Sequence, residues 1–539
     1  MKFFALGATG DLSEIAEHLA PWQRVLAPTL GGLVAGLVLQ WGLRDARNSA
    51  AGNLLEVVIA GDGRLPFGAG LVKSLSSVLS VGTGASIGRE GAIAQMTATV
   101  ASGWGQLRKW QPYRLRLVVA CGAASGIAAA YNAPIGGAVF AAQVVLGNFS
   151  MNLFGPLVFA SVVSSVLSRS FFGIAPWYRV PDFDFTRLSQ LPWFLLLGLG
   201  AGVVGALFLK SLKWSEAGFK RLPLPLCARL AAGGLVVGLV AVGCPQVWGN
   251  GAGVTTRILH EALPLGGLLG WFAAKWFATV SAVGSGTVGG VFTPTLFLGA
   301  ALGSAFGGGI HHAGFGTVLP TGVFALVGMG SVLAATTHSP LLAMILVFEI
   351  SLNYSLVPPL MLACVIGAFV GSRLNSDSIY TAPLRAKGLA EHRESLQVGA
   401  ATQRTVGDLM RERVPPLPET ATLPEIGERF LKCAHNFLPV VDASERLVGV
   451  VGLHDLKDFL TAGEELKAVI ASDVMRPPPA CVTPAQPLLD VLPVLLASEL
   501  RNVPVVNSLS EKRLIGALPR SESLGVLSEA IAAVNAAKG

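Results

Sequence analysis

The sequence predicts an all-α polytopic membrane protein built on an internal repeat with broken, re-entrant helices, followed by a smaller α/β module. Three observations carry that class. With 52% hydrophobic residues, 13% charged residues and a mean hydropathy of +0.61, the chain is too apolar for an ordinary soluble protein. Charge is also divided unevenly: residues 1–400 carry 25 basic and 15 acidic side chains, whereas 401–539 carry 14 and 17. An apolar part of charge +10 thus meets a densely charged tail of −3 near residue 400. Finally, each part contains a repeat of its own.

Apolar runs occur at 25–41, 71–81, 91–104, 117–146, 153–167, 191–212, 228–242, 263–283, 291–306, 318–350 and 357–370. Several fall short of the roughly 20 residues a full span needs, and others are long enough for two tilted pieces. Short membrane helices are tolerated only where protein buries them or a wet cavity lies alongside. The runs therefore predict a thick bundle enclosing a pathway. Small-residue clusters, as in Gly31-Gly32-Leu33-Val34-Ala35-Gly36 and Gly198-Leu199-Gly200-Ala201-Gly202, let helices approach closely in lipid.

Ahead of the first run, Met1-Lys2-Phe3-Phe4 is too short for a signal peptide or a span, and residues 11–24 read as an amphipathic lead-in. The six cysteines are scattered without a CxxC, and the eight histidines show no metal spacing. Neither a disulfide framework nor a zinc site is supported, and there is no nucleic-acid signature.

The membrane part is a duplication. Lys73 to Ala92 (KSLSSVLSVGTGASIGREGA) lies over Lys275 to Pro294 (KWFATVSAVGSGTVGGVFTP) without gaps, matching Lys73 to Lys275, Gly84 to Gly286 and Gly88 to Gly290. Further on, Ala129-Ala130-Tyr131-Asn132-Ala133-Pro134 answers to Thr336-Thr337-His338-Ser339-Pro340. Duplicated halves with glycine-broken apolar segments at matching positions point to a midplane site. A helix beginning inside the bilayer presents free N–H groups and a partial positive charge that favour an anion. The two helix starts, after Gly88 and after Gly290, thus predict an anion pathway between them. Ionisable residues at membrane depth are costly and usually functional, which singles out Arg89 and Glu90; Glu90 falls opposite Phe292.

The tail repeats at an offset of 65: Asp408-Leu409-Met410 matches Asp473-Val474-Met475, and Pro439-Val440-Val441-Asp442 matches Pro504-Val505-Val506-Asn507. Alternating short helices and β-branched strands make each copy a small α/β module.

Gly88-Arg89-Glu90-Gly91, Gly290-Val291-Phe292-Thr293-Pro294, Ile379-Tyr380 and the duplicated tail, taken in that order, resemble the CLC family of chloride channels and chloride/proton antiporters, with its bacterial ClcB-like branch bearing C-terminal CBS domains the nearest likeness. The resemblance implies a membrane domain at 1–385, an inverted repeat whose halves lie at about 25–170 and 190–375 with helix N-termini pointing at central anions. A linker at 386–403 and CBS domains at 404–465 and 469–535 follow. It implies a homodimer in the bacterial plasma membrane, a pore in each subunit, chloride as the transported ion, no cofactor in the membrane part, no enzymatic activity, and cytoplasmic CBS domains.

Carried over by motif, Glu90 is the gating glutamate, whose carboxylate mimics chloride until protonation releases it. Gly88, the backbone amides of Arg89, Glu90, Gly91, Val291 and Phe292, and the Tyr380 hydroxyl are the expected anion ligands. Three departures stand beside the match. The family's first pore motif has no clean copy; Ala51-Gly52-Asn53-Leu54-Leu55-Glu56 is its counterpart by spacing, so Asn53 replaces a coordinating serine, a feature shared with the fluoride-exporting branch. The proton-relay glutamate of antiporters aligns near Gln143-Val144, neither of which carries a proton, so a voltage- or pH-gated channel is expected, with an antiporter or fluoride exporter as the alternative. Members of the family begin with one or two helices before the counterpart of residues 26–41; the expectation here is either a start codon placed too late or a dispensable helix, with a full-length start the cheaper explanation. In the CBS pair, Asp455 and Glu522 stand at the positions where adenine nucleotides are often held, yet the neighbouring hydroxyl positions are Gly452 and Pro519. Dimer stabilisation is therefore expected ahead of nucleotide binding. Glu349 is expected to be structural.

Overall fold

Glycine and proline cut the apolar runs into pieces, and the structure, a computed structural model, shows where each cut falls. It describes residues 11–43, 54–59, 61–147, 149, 151–173, 178, 190–315, 319–387, 389, 405–433, 435–456, 469–488 and 490–527. The chain divides into two units, 1–390 and 391–539.

Unit 1 is helical. Its elements are α1 (Leu12–His18), α2 (Pro21–Gly42), α3 (Leu54–Ile59), α4 (Phe67–Gly82), α5 (Glu90–Leu107), α6 (Pro112–Tyr131), α7 (Pro134–Phe140), which continues as a π-helical turn over Ala141–Leu146, and α8 (Met151–Phe172). The second half follows with α9 (Leu191–Arg221), α10 (Leu226–Gly243), α11 (Ala252–His260), α12 (Leu265–Gly284), α13 (Phe292–His312), α14 (Thr321–Thr337), α15 (Pro340–Ser351), α16 (Val357–Leu374) and α17 (Thr381–Ala386). Among the described residues six helices are long and apolar enough to cross a membrane. Others, among them α4, the α7 segment, α14 and α15, are shorter apolar helices, as the interrupted runs predict. Outward-facing side chains such as Phe159 and Phe172 are apolar and exposed, as lipid contact requires, and α14 is buried along its whole length.

The two halves reproduce each other's backbone. Gly84 and Gly286 both adopt left-handed conformations, at φ +103° and +99°. Asn132 and His338 do the same at the ends of α6 and α14, at φ 56° and 54°, each two residues ahead of a proline at the start of the next helix. The long runs at 117–146 and 318–350 break at these points. At Gly84 no side chain is admissible: besides its positive φ, a Cβ there would lie 2.6 Å from the Trp248 indole.

Unit 2 holds two strand-bearing copies. In the first, β1 (Leu417–Pro418) pairs parallel with β2 (Phe437–Val441), which pairs antiparallel with β3 (Leu447–Gly452). In the second, β4 (Asn502–Val506) pairs antiparallel with β5 (Leu514–Pro519). Both hairpins carry an irregularity at the same place, between Val440 and Val441 and between Val505 and Val506. The second hairpin loop is two residues longer, so the offset of 65 grows to 67 beyond it.

Candidate functional site

Glu90 is the first residue of α5 and Phe292 the first of α13, with Arg89 and Val291 at their N-cap positions. Just ahead of them the two halves meet. The N–H of Gly88 donates to the carbonyl of Gly290 at 2.6 Å, and the N–H of Gly290 donates back at 2.8 Å, in an antiparallel bridge. Two helix starts, 202 residues apart in the chain, are thereby held face to face, and Glu90 and Phe292 are both buried.

The Glu90 side chain folds back over Gly88, where a Cβ would come within 2.3 Å of both carboxylate oxygens. Its Oε1 accepts hydrogen bonds from the Thr293 N–H at 2.6 Å, from the Tyr131 hydroxyl at 2.9 Å and from the Thr293 hydroxyl. The Tyr131 and Thr293 hydroxyl oxygens are 2.8 Å apart. Oε2 has no hydrogen-bond partner among the described residues. A carboxylate thus occupies the N-terminus of the opposite half's helix, where unpaired amides and the helix dipole favour negative charge.

Around this junction, the Tyr131 ring packs on Phe292 with centroids 5.5 Å apart. Tyr380, at the N-cap of α17, meets Phe140 edge-on at 5.8 Å and faces the Glu90 charge without a hydrogen bond to it among the described residues. The Lys275 ammonium is completely buried, donates to the carbonyls of Val247 and Gly249 at 3.0 and 2.8 Å, and also faces Glu90. Its counterpart Lys73 is only partly buried and faces Glu56, itself paired with Lys387 at 2.7 Å.

Of the residues expected from sequence, Gly88, Glu90, Gly91, Val291 and Phe292 come together at the junction. The Arg89 side chain is exposed, so only its backbone belongs to the buried cage. Asn53 lies outside the described residues, immediately before α3. Gln143 and Val144 fall in the π-helical turn. Both carboxylate oxygens of Glu349 accept amides at the start of α7, from Ile135 at 2.9 Å and Gly136 at 2.6 Å, pinning one half to the other. Sequence reasoning missed Tyr131 and Thr293 as ligands of Glu90, although both sit inside the motifs that revealed the duplication.

In unit 2 the two acidic residues are already engaged, each by the arginine that opens the other copy. Asp455 takes the Arg476 guanidinium on Oδ1 and the Gly452 N–H on Oδ2 at 3.1 Å. Glu522 takes Arg411 at 2.7 Å. Arg411 and Arg476 are 65 residues apart, equivalent positions of the repeat. Burial pushes the Asp455 carboxyl up, but the Arg476 guanidinium and the Gly452 N–H outweigh it and hold that carboxyl below the usual carboxylate range.

Fold and site together define a helical membrane protein of two antiparallel halves, with a carboxylate lodged where two broken helices begin. The family model described as voltage gated chloride channel matches residues 31–372, and the CBS domain model matches 406–462 and 471–522. A ClcB-like chloride channel protein of Ralstonia nicotianae is 42% identical over 398 residues, covering 73% of this chain and 92% of that protein. The voltage-gated ClC-type chloride channel ClcB of Citrobacter koseri is 37% identical over 386 residues, covering 70% and 91%. Among solved structures, a slow cyanobacterial Cl-/H+ antiporter superposes with a TM-score of 0.63 at 24% identity, covering 72% of this chain and 92% of that one. A eukaryotic CLC transporter superposes with a TM-score of 0.54 at 18% identity, covering 94% of each. The chain therefore belongs to the voltage-gated chloride channel (CLC) family, and it carries a pair of CBS domains.

Proposed function

We propose that the protein is a passive, pH- or voltage-gated chloride channel of the bacterial plasma membrane, working as a homodimer with its CBS domains in the cytoplasm. One observation carries this reading: the Glu90 carboxylate occupies the start of α13, the place a permeating anion would take. A proton on Oε2 would disturb no existing hydrogen bond and would remove the charge that holds the side chain there. The freed Thr293 N–H then donates to chloride. A channel is favoured over an antiporter because the segment Ala141–Leu146, where a proton relay is expected, offers Gln143 and a buried Val144 and no ionisable group. Since Arg476 and Arg411 already hold Asp455 and Glu522, the CBS pair serves to stabilise the dimer in preference to binding an adenine nucleotide.

Reconstitution in liposomes under a pH gradient at fixed chloride tests the choice. A channel gives a reversal potential set by chloride alone, and a shift of that potential with the pH gradient means proton coupling.

A further inference from the structure

The Glu90 carboxylate is held by more than backbone. Two of the three donors to Oε1 are side-chain hydroxyls, one from each half of the duplication: Tyr131 at the end of α6 and Thr293 in the first turn of α13. Thr293 is opposite Gly91 in the repeat, so the hydroxyl has no twin in the first half. Both side chains are buried, and among the described residues the Tyr131 hydroxyl is hydrogen-bonded only to Glu90 and Thr293 and the Thr293 hydroxyl only to Glu90 and Tyr131. A buried hydroxyl that loses its acceptor is left at a cost.

We infer that the Tyr131 and Thr293 hydroxyls are specificity-determining anion ligands, passing from the Glu90 carboxylate to the permeating ion when the plug leaves. This deepens the channel reading and rests on it. With the plug gone, one hydroxyl satisfies the other and the remaining hydrogen points, with the Thr293 N–H, into the vacated position. Directed hydroxyls favour a small anion of concentrated charge over a large diffuse one of equal charge, because the oxygen-to-anion distance is shorter and the attraction correspondingly greater. Chloride should therefore be preferred to nitrate. Among the described residues Lys275 and Tyr380 also face the Glu90 charge, and Tyr178 lies near Tyr131; none of the three donates a hydrogen bond to Oε1, so the discrimination falls to the Tyr131 and Thr293 hydroxyls.

The test measures chloride and nitrate efflux from liposomes holding the full chain. In a Glu90→Ala background, which removes the plug, Thr293→Val and Tyr131→Phe should each lower the chloride-to-nitrate flux ratio by about three- to tenfold, the worth of about one hydrogen bond. Thr293→Ser, which keeps the hydroxyl, should restore the ratio. Because both fluxes come from the same vesicles, the ratio is independent of how much variant protein folds, and a variant without flux is replaced by its partner substitution. With Glu90 present, the same two variants should pass more chloride at neutral pH than the parent. An unchanged ratio in both variants overturns the inference. If Glu90→Ala alone fails to raise flux, the gating reading fails instead, whatever the ratio does.

Discussion

The two halves of the membrane unit share a backbone and differ in what they place on it. Gly84 and Gly286, and the left-handed caps at Asn132 and His338, repeat the same turns to within a few degrees of φ, and Gly88 and Gly290 pair with each other across the junction. Yet the first half starts its central helix with Glu90 and the second with Phe292. The first half's Lys73 is partly exposed, while the second's Lys275 is sealed and bonded to two carbonyls. Duplication thus supplies the symmetric part of an anion site, two helix N-termini brought together, and divergence supplies an asymmetric plug. A symmetric pair of carboxylates at the junction would repel at close range; a carboxylate facing a phenyl ring does not.

That contrast can be broken at several points. The largest effect is expected from Glu90→Ala, which removes three hydrogen bonds to the plug: anion flux should rise at least about tenfold at neutral pH and lose its pH dependence, since even one charge-assisted bond is worth that factor. Liposome efflux at two pH values measures both. Next comes Lys275→Met, which strands the carbonyls of Val247 and Gly249 and should cost about 2–4 kcal/mol of stability. The same change at Lys73 should cost visibly less, and thermal unfolding in detergent compares the two. Gly88→Ala and Gly290→Ala sharpen the comparison further. The first puts a methyl group 2.3 Å from the Glu90 oxygens, while the second meets the Gly91 nitrogen at 3.1 Å and Glu90 only at 3.6 Å. Flux should therefore increase in Gly88→Ala well beyond the change in Gly290→Ala.

The smallest effect lies in the tail. Asp455 is ionised and held by Arg476, with its carboxyl below the ordinary range. Such a group contributes stability that is fully present above the ordinary carboxylate pKa of about 4 and is lost as pH falls through the lowered value. Asp455→Asn should lower the unfolding temperature of the tail by a few degrees at pH 7, for about 1 kcal/mol. That difference should disappear in strong acid.

Much of this was legible before any coordinates. Glycine spacing located both helix starts, because backbone conformation at those points depends strongly on residue type; the prolines after Asn132 and His338 were visible as a repeat match, and the runs at 117–146 and 318–350 as long enough for two pieces. Glu90 stood out because a charge in an apolar setting needs a reason. Tyr131 and Thr293 did not stand out. A tyrosine at a helix end and a threonine near a proline are ordinary, and their convergence on Oε1 depends on how α6 and α13 pack across 162 residues of chain. The only advance signal was Thr293 standing opposite Gly91. Arg89 misleads for the opposite reason: a charge beside the site looks functional in one dimension, but one residue along a helix start turns its side chain outward. In the tail, the offset of 65 revealed the duplication but not the exchange, in which each copy's leading arginine serves the other copy's acid.

Bromide-soaked crystals of the parent and of Glu90→Gln, compared by anomalous scattering, put the central claim to its most direct test. The account predicts a bromide within hydrogen-bonding reach of the Thr293 amide in Glu90→Gln, in the position that the carboxylate fills in the parent. A glutamine still seated on that amide, or a bromide bound only at a distance from the two helix starts, would contradict it.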